Sequence, residues 1–349
     1  MSRWKELKDN PKKLELLKKR SHLLNIVREF FLSQNFIECD TPLLVKHPGM
    51  EPYLTPFLTN ILDEAGQNYT AHLITSPEYS MKKLLAAGMN KMFQISKVFR
   101  NNESFSGTHN PEFTMIEWYR AEASYNDIIT DTENLIIYLI NKSLENEAAK
   151  IKNQKSKIKI TNKNLKITYQ GQVIDLSMPW LRVSVREAFD RFASLKLSEL
   201  KIKKDEQYED VFWKIFLNDI EPKLKELGRP VFIYDYPIAL GALAKTKDND
   251  ATVAERFELY IGGLELANAF SELMNGAEQR KRLEEEQDLR RKLGKPVLPI
   301  DEDFIAALNN GPKTAAGIAL GIDRLVMLIL DQKDINEVLW FGAKHIFTD

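Results

Sequence analysis

The sequence has a single cysteine, Cys39, in 349 residues. That excludes an internal disulfide and any cysteine-based zinc cluster, and it leaves Cys39 as filler beside a strand. The five histidines are scattered without the spacing that places two on one helical face, so a transition-metal enzyme is not expected. No uncharged apolar run approaches the length of a membrane span, and the opening "MSRWKELKDNPKKLELLKKR" is charged where a signal peptide needs an apolar centre. A cytoplasmic protein with no membrane partner is the expectation. Net charge is missing too: 49 basic residues against 50 acidic ones give −1, so the molecule as a whole has no electrostatic reason to seek nucleic acid.

The charge that is present lies unevenly. Residues 1–20 carry eight Lys or Arg against Glu6, Asp9 and Glu15, and residues 150–166 carry seven lysines and no acid. The ordinary account of both is a solvated helix and loop, and the sharper one is a pair of patches for an acidic partner. The bulk composition, 44% hydrophobic and 28% charged, is that of a soluble globular protein long enough for one large core or two modest ones.

A helical pattern runs from about residue 12 to 34, with Leu16, Leu17, Leu23, Leu24, Ile26, Val27, Phe30 and Phe31 on its apolar face. Ser76 and Pro77 predict the start of a helix through "EYSMKKLLAA" that Gly88 closes. Another helix is predicted over "SYNDIITDTENLIIYLINKSL". From about 142 to 229 the texture changes to a lysine-rich loop, a hairpin through "KITYQGQVIDL" and helices opening near Ser184 and Lys204. This segment reads as an insertion into one domain spanning 1–349. Strands return at "PVFIYDY", "ERFELYIGGLELANAFSEL" and "TAAGIALGI", with a charged helix over 277–293 between the last two. Strands far apart in sequence with segregated helices predict an α+β fold, an antiparallel sheet flanked by helices.

The chemistry-bearing residues gather on three elements. "VFRNNESFSGTHNPEFTMIEWY" reads as a hairpin, and alternation puts Phe113, Met115, Glu117 and Tyr119 on one face and Glu112, Thr114, Ile116 and Trp118 on the other. In "RFELYIGGLELANAF" the Gly262-Gly263 pair predicts a two-residue turn with Ile261 facing Leu264 and Tyr260 facing Glu265. Glu258 then shares a side with Glu265. Two carboxylates converging on an apolar sheet need a cation between them, and oxygen ligands suit Mg2+ with phosphate oxygens; paired lysines or solvent are the plainer alternative. Asn268, Phe270 and Glu272 have the opposite parity to Glu265, so a bulge is predicted between Glu265 and Asn268 if all line one site. Third, "TAAGIALGIDRLVMLIL" is a small-residue strand ending at Gly321, followed by a helix whose first turn carries Asp323 and Arg324. Small residues let a ligand approach the backbone, and the helix start favours phosphate.

In this order the elements resemble a class II aminoacyl-tRNA synthetase of the lysine branch. "FIECDTPLL" with Pro42 resembles the first class motif, "FRNNE…HNPEFTMIEWY" the second and "GIALGIDRLVM" the third, while "TSPEY" and "GLELANAFSEL" resemble the lysine-branch pocket. The similarity covers about 30–140 and 230–342. It implies ATP and Mg2+ as cofactors: Arg100 on the α-phosphate and substrate carboxylate, His109 on the γ-phosphate, Phe113 stacked on adenine, Arg324 on the far phosphate, and Glu258 with Glu265 on the metal. Either Asn102 or Glu103 meets the adenosine. Glu78 is implied near the substrate amino group, Tyr119 and Glu272 at the distal ammonium, and Glu117 and Asn268 in the same pocket.

Only 41 residues precede Pro42, too few for the anticodon-binding barrel of lysyl-tRNA synthetases, so tRNA is not the expected acceptor. The short form, Trp118, and Ala319 in place of the usual glycine resemble the elongation factor P–lysine ligases, synthetase paralogues that attach lysine or β-lysine to a lysine side chain of that factor. Thr108, where synthetases often have Arg, Ala269, where the family usually has Gly, and the extra asparagine in "FRNNE" depart from the pattern. The first motif implies a homodimer, with the apolar face of residues 16–31 as its surface. A short synthetase acting on tRNA or another amine, and a catalytically silent paralogue, stand as alternatives; intact Arg100, Arg324, Glu258 and Glu265 weigh against the second.

Overall fold

The central sheet is built from β1 (Ile37–Glu38), β2 (Lys91–Phe99), β3 (Glu112–Ala121), β4 (Leu181–Ser184), β5 (Val231–Pro237), β6 (Asp250–Ile261), β7 (Leu264–Ser271) and β8 (Ala315–Gly321). Their order is β1-β2-β3-β8-β7-β6-β5-β4, and the two-residue strand Thr246–Lys247 adds to β6. The computed structural model describes residues 2–150, 165–200 and 206–348. Most of the lysine-rich 150–166 stretch, and the helix start expected near Lys204, lie outside the described residues.

The fold is α+β, a sheet with helices packed on it. It is antiparallel from β2 through β5, but each edge strand pairs in parallel, β1 on β2 and β4 on β5. Parallel neighbours require long crossovers. Residues 39–90 and 185–230 supply them, the first carrying a small three-stranded sheet and the helix Glu78–Ala86, the second the helices Val185–Phe192, Glu206–Ile215 and Glu221–Glu226. Leu181–Ser184 thus binds the 142–229 segment into the main sheet.

Alternation along β3 sorts its side chains as the sequence predicts. Ile116 and Trp118 enter the main core, where Phe31 stacks on Phe93 at 4.9 Å between centroids and meets Trp118 at 5.0 Å. Phe113, Met115, Glu117 and Tyr119 line a cavity on the other face. The Gly262-Gly263 turn has φ of 61° and 79°, a pair of left-handed positions that glycine adopts without strain. It sets Ile261 against Leu264 and Tyr260 against Glu265. The next pair is Leu259 with Ala267, so Leu266 is the extra residue of the predicted bulge and Glu265 and Asn268 reach one face.

The helix Pro11–Ser33 is capped by Asn10, whose side chain accepts from Lys13 N at 3.2 Å. Its apolar face is not a free surface. Leu17, Leu23, Ile26, Val27, Phe30 and Phe31 are buried in the core, which corrects the assignment of residues 16–31 to a dimer interface. An amphipathic stripe packs on whatever apolar surface its own chain offers first, and the sheet supplies it. Three of the first twenty residues' cations are also engaged internally: Arg3 donates to the carbonyls of Asn336, Leu339 and Trp340, Lys13 pairs with Glu6 and Glu337, and Arg20 with the buried Asp323. No helix among the described residues is long and apolar enough to cross a membrane.

Candidate active site

A cavity of about 410 Å³ lies over the face of β3, β8 and β7 and is roofed by residues 240–244. Its roof is held by the helix Gly276–Lys292. Arg282 of that helix donates to the carbonyls of Gly241 at 2.6 Å and Ala244 at 2.8 Å, while Arg290 reaches the carbonyl of Glu51 at 3.0 Å. This charged helix thus buries two of its arginines as struts, because backbone carbonyls in a loop need donors as much as the arginines need acceptors.

One pole of the cavity is basic. Arg100 follows β2, with its guanidinium 5.2 Å from the Phe113 ring centroid and its Nε buried without a partner. Across from it, Arg324 leaves the first turn of the helix Ile322–Ile329. It donates to Glu265 O at 2.9 Å, approaches Glu265 Oε2 at 3.4 Å, and meets His109 Nε2 at 3.2 Å. An arginine can only donate, so His109 accepts through Nε2 and is neutral; burial, and then Arg324, hold its pKa below the ordinary value. Asp323 locks this helix start in place by accepting from Thr114 N at 2.7 Å and from Arg20 at 2.6 Å. Of the two adenosine candidates, Glu103 lines the cavity; Asn102 is exposed at φ 63°, in a left-handed turn that carries it outside.

The other pole is acidic. Glu117 is buried and accepts from Ser76 Oγ at 2.6 Å and Tyr119 OH at 2.8 Å. Burial, with repulsion from Glu78, pushes its pKa up to about 8. Glu272, whose side chain is 0% exposed, is also pushed up to about 8 by burial, with Glu78 adding to the rise and Lys82 opposing it. It does not line the cavity directly but stands behind Gly317. A Cβ at Gly317 would meet Tyr119 and come within 2.6 Å of Glu272 Oε1, so only glycine leaves that carboxylate within reach of the cavity floor. Glu117, Ala319 and Asn268 sit in one row across β3, β8 and β7, which sets the Ala319 methyl between two polar side chains.

The metal pair is the largest departure from the sequence reading. Glu265 lines the cavity with its side chain 42% exposed. Glu258 does not: it is 3% exposed and accepts from Tyr236 OH and Tyr260 OH at 2.7 Å each, and from Arg256 Nη2. The cation between the strands is therefore Arg256, which also donates to Asn268 Oδ1 at 3.0 Å and Leu240 O at 2.7 Å. As an open oxygen ligand beside two arginines, Glu265 fits Mg2+, which takes one or two carboxylates together with phosphate oxygens; Glu258, with both oxygens engaged, does not.

Three cavity residues, Arg256, Ser76 and Glu51, and Lys82 behind the cavity had no site role in the sequence reading. Arg256 was legible, since it shares the parity of Glu258. Lys82 was half legible, as the i+4 neighbour of Glu78. Ser76, read only as a helix start, also bonds Glu117. Glu51 lies in a coil that gives no period to follow.

The family of class II tRNA synthetases (D, K and N) matches residues 1–345. The chain belongs to this family. Among its relatives, a protein of Haemophilus ducreyi named elongation factor P–(R)-β-lysine ligase is 36% identical over 334 residues, 95% of each chain. Proteins of the same name from Edwardsiella ictaluri and Vibrio cholerae are each 37% identical, covering 94% and 93% of this chain and 94% of their own. For a class II synthetase of this type the two poles are chemically apt: the arginine end can hold phosphate and carboxylate anions while the carboxylate end holds ammonium groups.

Proposed function

We propose that the protein is an ATP-dependent ligase that activates lysine or β-lysine as the aminoacyl-adenylate and transfers it to a lysine side chain of elongation factor P. The observation that carries this reading is the polarity of one cavity, with Arg100, Arg324 and the open Glu265 at one end, and the buried Glu78 and Glu117 at the other with Glu272 behind Gly317. It is joined by near full-length similarity to proteins that bear that ligase name. Such an acceptor puts the enzyme in the cytoplasm.

The chemistry needs no protein nucleophile. The substrate carboxylate oxygen attacks the α-phosphorus, an O–P bond forms, and the bond to the pyrophosphate leaving group breaks. Two anions must meet, and charge spreads over the phosphoryl oxygens. Arg100 would hold the α-phosphate and carboxylate, Arg324 with the neutral His109 the outer phosphates, and Phe113 and Glu103 the adenosine. Glu265 would hold Mg2+, which when bound neutralises phosphate charge. At the acidic pole Glu78, Glu117, Tyr119, Asn268 and Glu272 would orient the amino groups. An acceptor lysine amine then attacks the acyl carbon, an amide forms, and AMP leaves with the bonding pair. Purified protein given ATP, Mg2+ and labelled lysine or β-lysine, with elongation factor P or tRNA as acceptor, tests the reading. Label on elongation factor P is expected, and label on tRNA alone, or no adenylate, overturns it.

Binding should depend on pH in a stated direction. Glu117 and Glu272 are both pushed up to about 8, so at lower pH each carries a proton that a substrate ammonium must displace. The substrate side-chain ammonium stays charged to about pH 10. KM for lysine should therefore fall as pH rises from about 7 through 8.5, with KM for ATP nearly flat. A KM for lysine that is constant across that range would be inconsistent with these two protonations.

Isomer choice is assigned to Ala319, whose methyl lies between Glu117 and Asn268. Ala319→Gly should improve α-lysine relative to β-lysine by about 1–3 kcal/mol at most, the range for one methyl-sized change. Adenylate formation with each isomer measures it.

A homodimer belongs to the same reading, on a different surface from the helix face. The small-sheet strand Leu58–Leu62 is exposed along its whole length, with Leu58 68% and Leu62 69% exposed and Tyr69 beside them. Sedimentation at micromolar concentration should give a dimer that Leu58→Asp with Leu62→Asp splits.

A further inference from the structure

Lys82 is a buried charge to which the proposed reaction gives no task. Its side chain is 1% exposed, and Nζ lies 2.5 Å from Glu78 Oε1 and 2.5 Å from Glu272 Oε2. The same ammonium stands 5.0 Å from the centroid of the Phe270 ring, which lines the cavity. The charged and titratable groups facing it are Glu78 on its own helix, Glu117 and Tyr119 on β3, and Glu272 after β7.

The charge count of this cluster is informative. Once Glu117 and Glu272 have given up their protons, three carboxylates less one ammonium leave two negative charges, and a diamino acid brings two ammonium groups. Without Lys82 the same pocket would hold three carboxylates packed together with no resident cation, and their hold on protons would tighten further. Burial alone would lower the pKa of Lys82, but Glu272 and Glu78 outweigh it and raise it, so the ammonium is a permanent resident. It also fixes geometry. With Oε2 of Glu272 engaged, Oε1 is the atom left over, and that atom is the one behind Gly317 with no partner.

We propose that Lys82 is a resident counter-ion and positioning residue: by clamping Glu78 to Glu272 it tunes the acidic pole to an amino acid carrying two ammonium groups. The inference rests on the lysine-activating reading above. Lys82 stays in place when the substrate enters, neutralises one carboxylate, and presents the free oxygen of Glu272. Removing it leaves the carboxylates holding their protons to a higher pH, so the substrate must compete with protons more firmly bound than in the wild-type protein.

The test uses the full chain, with Lys82→Met and Lys82→Arg assayed by ATP–pyrophosphate exchange with lysine and β-lysine. Lys82→Met should raise KM for the amino acid by about tenfold or more and leave KM for ATP within about twofold. The pH at which KM for lysine falls should move up by about one unit, and Lys82→Arg should recover most of both effects. A folded Lys82→Met variant with unchanged KM and unchanged pH dependence overturns the proposal. Because so buried a site can fail to fold, a second measurement needs no variant: a crystal structure of the wild-type protein with a lysyl-sulfamoyl adenosine. Nζ within hydrogen-bond distance of both Glu78 and Glu272 supports the proposal; displacement of Lys82 from either overturns it. Failure of the wild-type protein to activate any lysine isomer would instead defeat the underlying functional reading.

Discussion

Arg100→Ala should lower ATP–pyrophosphate exchange by about a thousandfold or more, the scale on which a cationic side chain stabilises a phosphoryl-transfer transition state. The structure gives Arg100 the marks of a group held ready for an anion. Its Nε has no partner, its guanidinium stands by an aromatic ring, and the acids around it, Glu51, Glu265 and Glu103, influence it through space. A side chain that bonds little within the protein contributes little to folding, so the melting temperature should move by only a few degrees. Arg100→Lys keeps the charge but loses the planar fork, and should remain impaired by a large factor. Exchange rates and thermal melts of both variants check this. Near wild-type exchange in Arg100→Ala would remove Arg100 from the phosphate and leave the basic pole without its central donor.

How much of this was legible in the sequence depends on which physical rule was at work. Alternation on β3 and the Gly262-Gly263 register followed from period and turn chemistry, which are local. The bulge at Leu266 was legible for a different reason: Glu265 and Asn268 cannot both face one site on an unbroken strand. Period fixes a face, but it says nothing of depth or partner. The helix Pro11–Ser33 shows its apolar stripe plainly, yet only the assembled sheet shows that the stripe is core. Lys82 has one partner a turn away and the other at Glu272, and no local rule joins them. Arg282 and Arg290 were given no role in the sequence because their acceptors are carbonyls of distant loops, invisible in the side-chain sequence.

Glu258 and Glu265 carry the second prediction, because parity paired them and the structure divides them. Glu265→Gln should reduce pyrophosphate exchange by about two to three orders of magnitude, since it removes the open carboxylate that contacts Arg324 and would hold Mg2+. Its contact with Arg324 is long, at 3.4 Å, and half-exposed, so the fold should lose no more than about 1 kcal/mol. Glu258→Gln should act in the opposite sense. It leaves Arg256 without its counter-charge in a site where Glu258 is 3% exposed, and it disturbs the bonds from Tyr236 and Tyr260. Breaking a buried pair from one side costs about 3–5 kcal/mol, which for a chain of this size lowers the melting temperature by roughly 4–7 °C. Activity would then fall through Arg256 and Asn268, and raising Mg2+ would not restore it. Differential scanning and exchange assays over a Mg2+ titration separate the two variants. If Glu258→Gln instead melts like the wild type and loses exchange in a Mg2+-dependent way, Glu258 leaves its tyrosines to join the metal when ATP arrives.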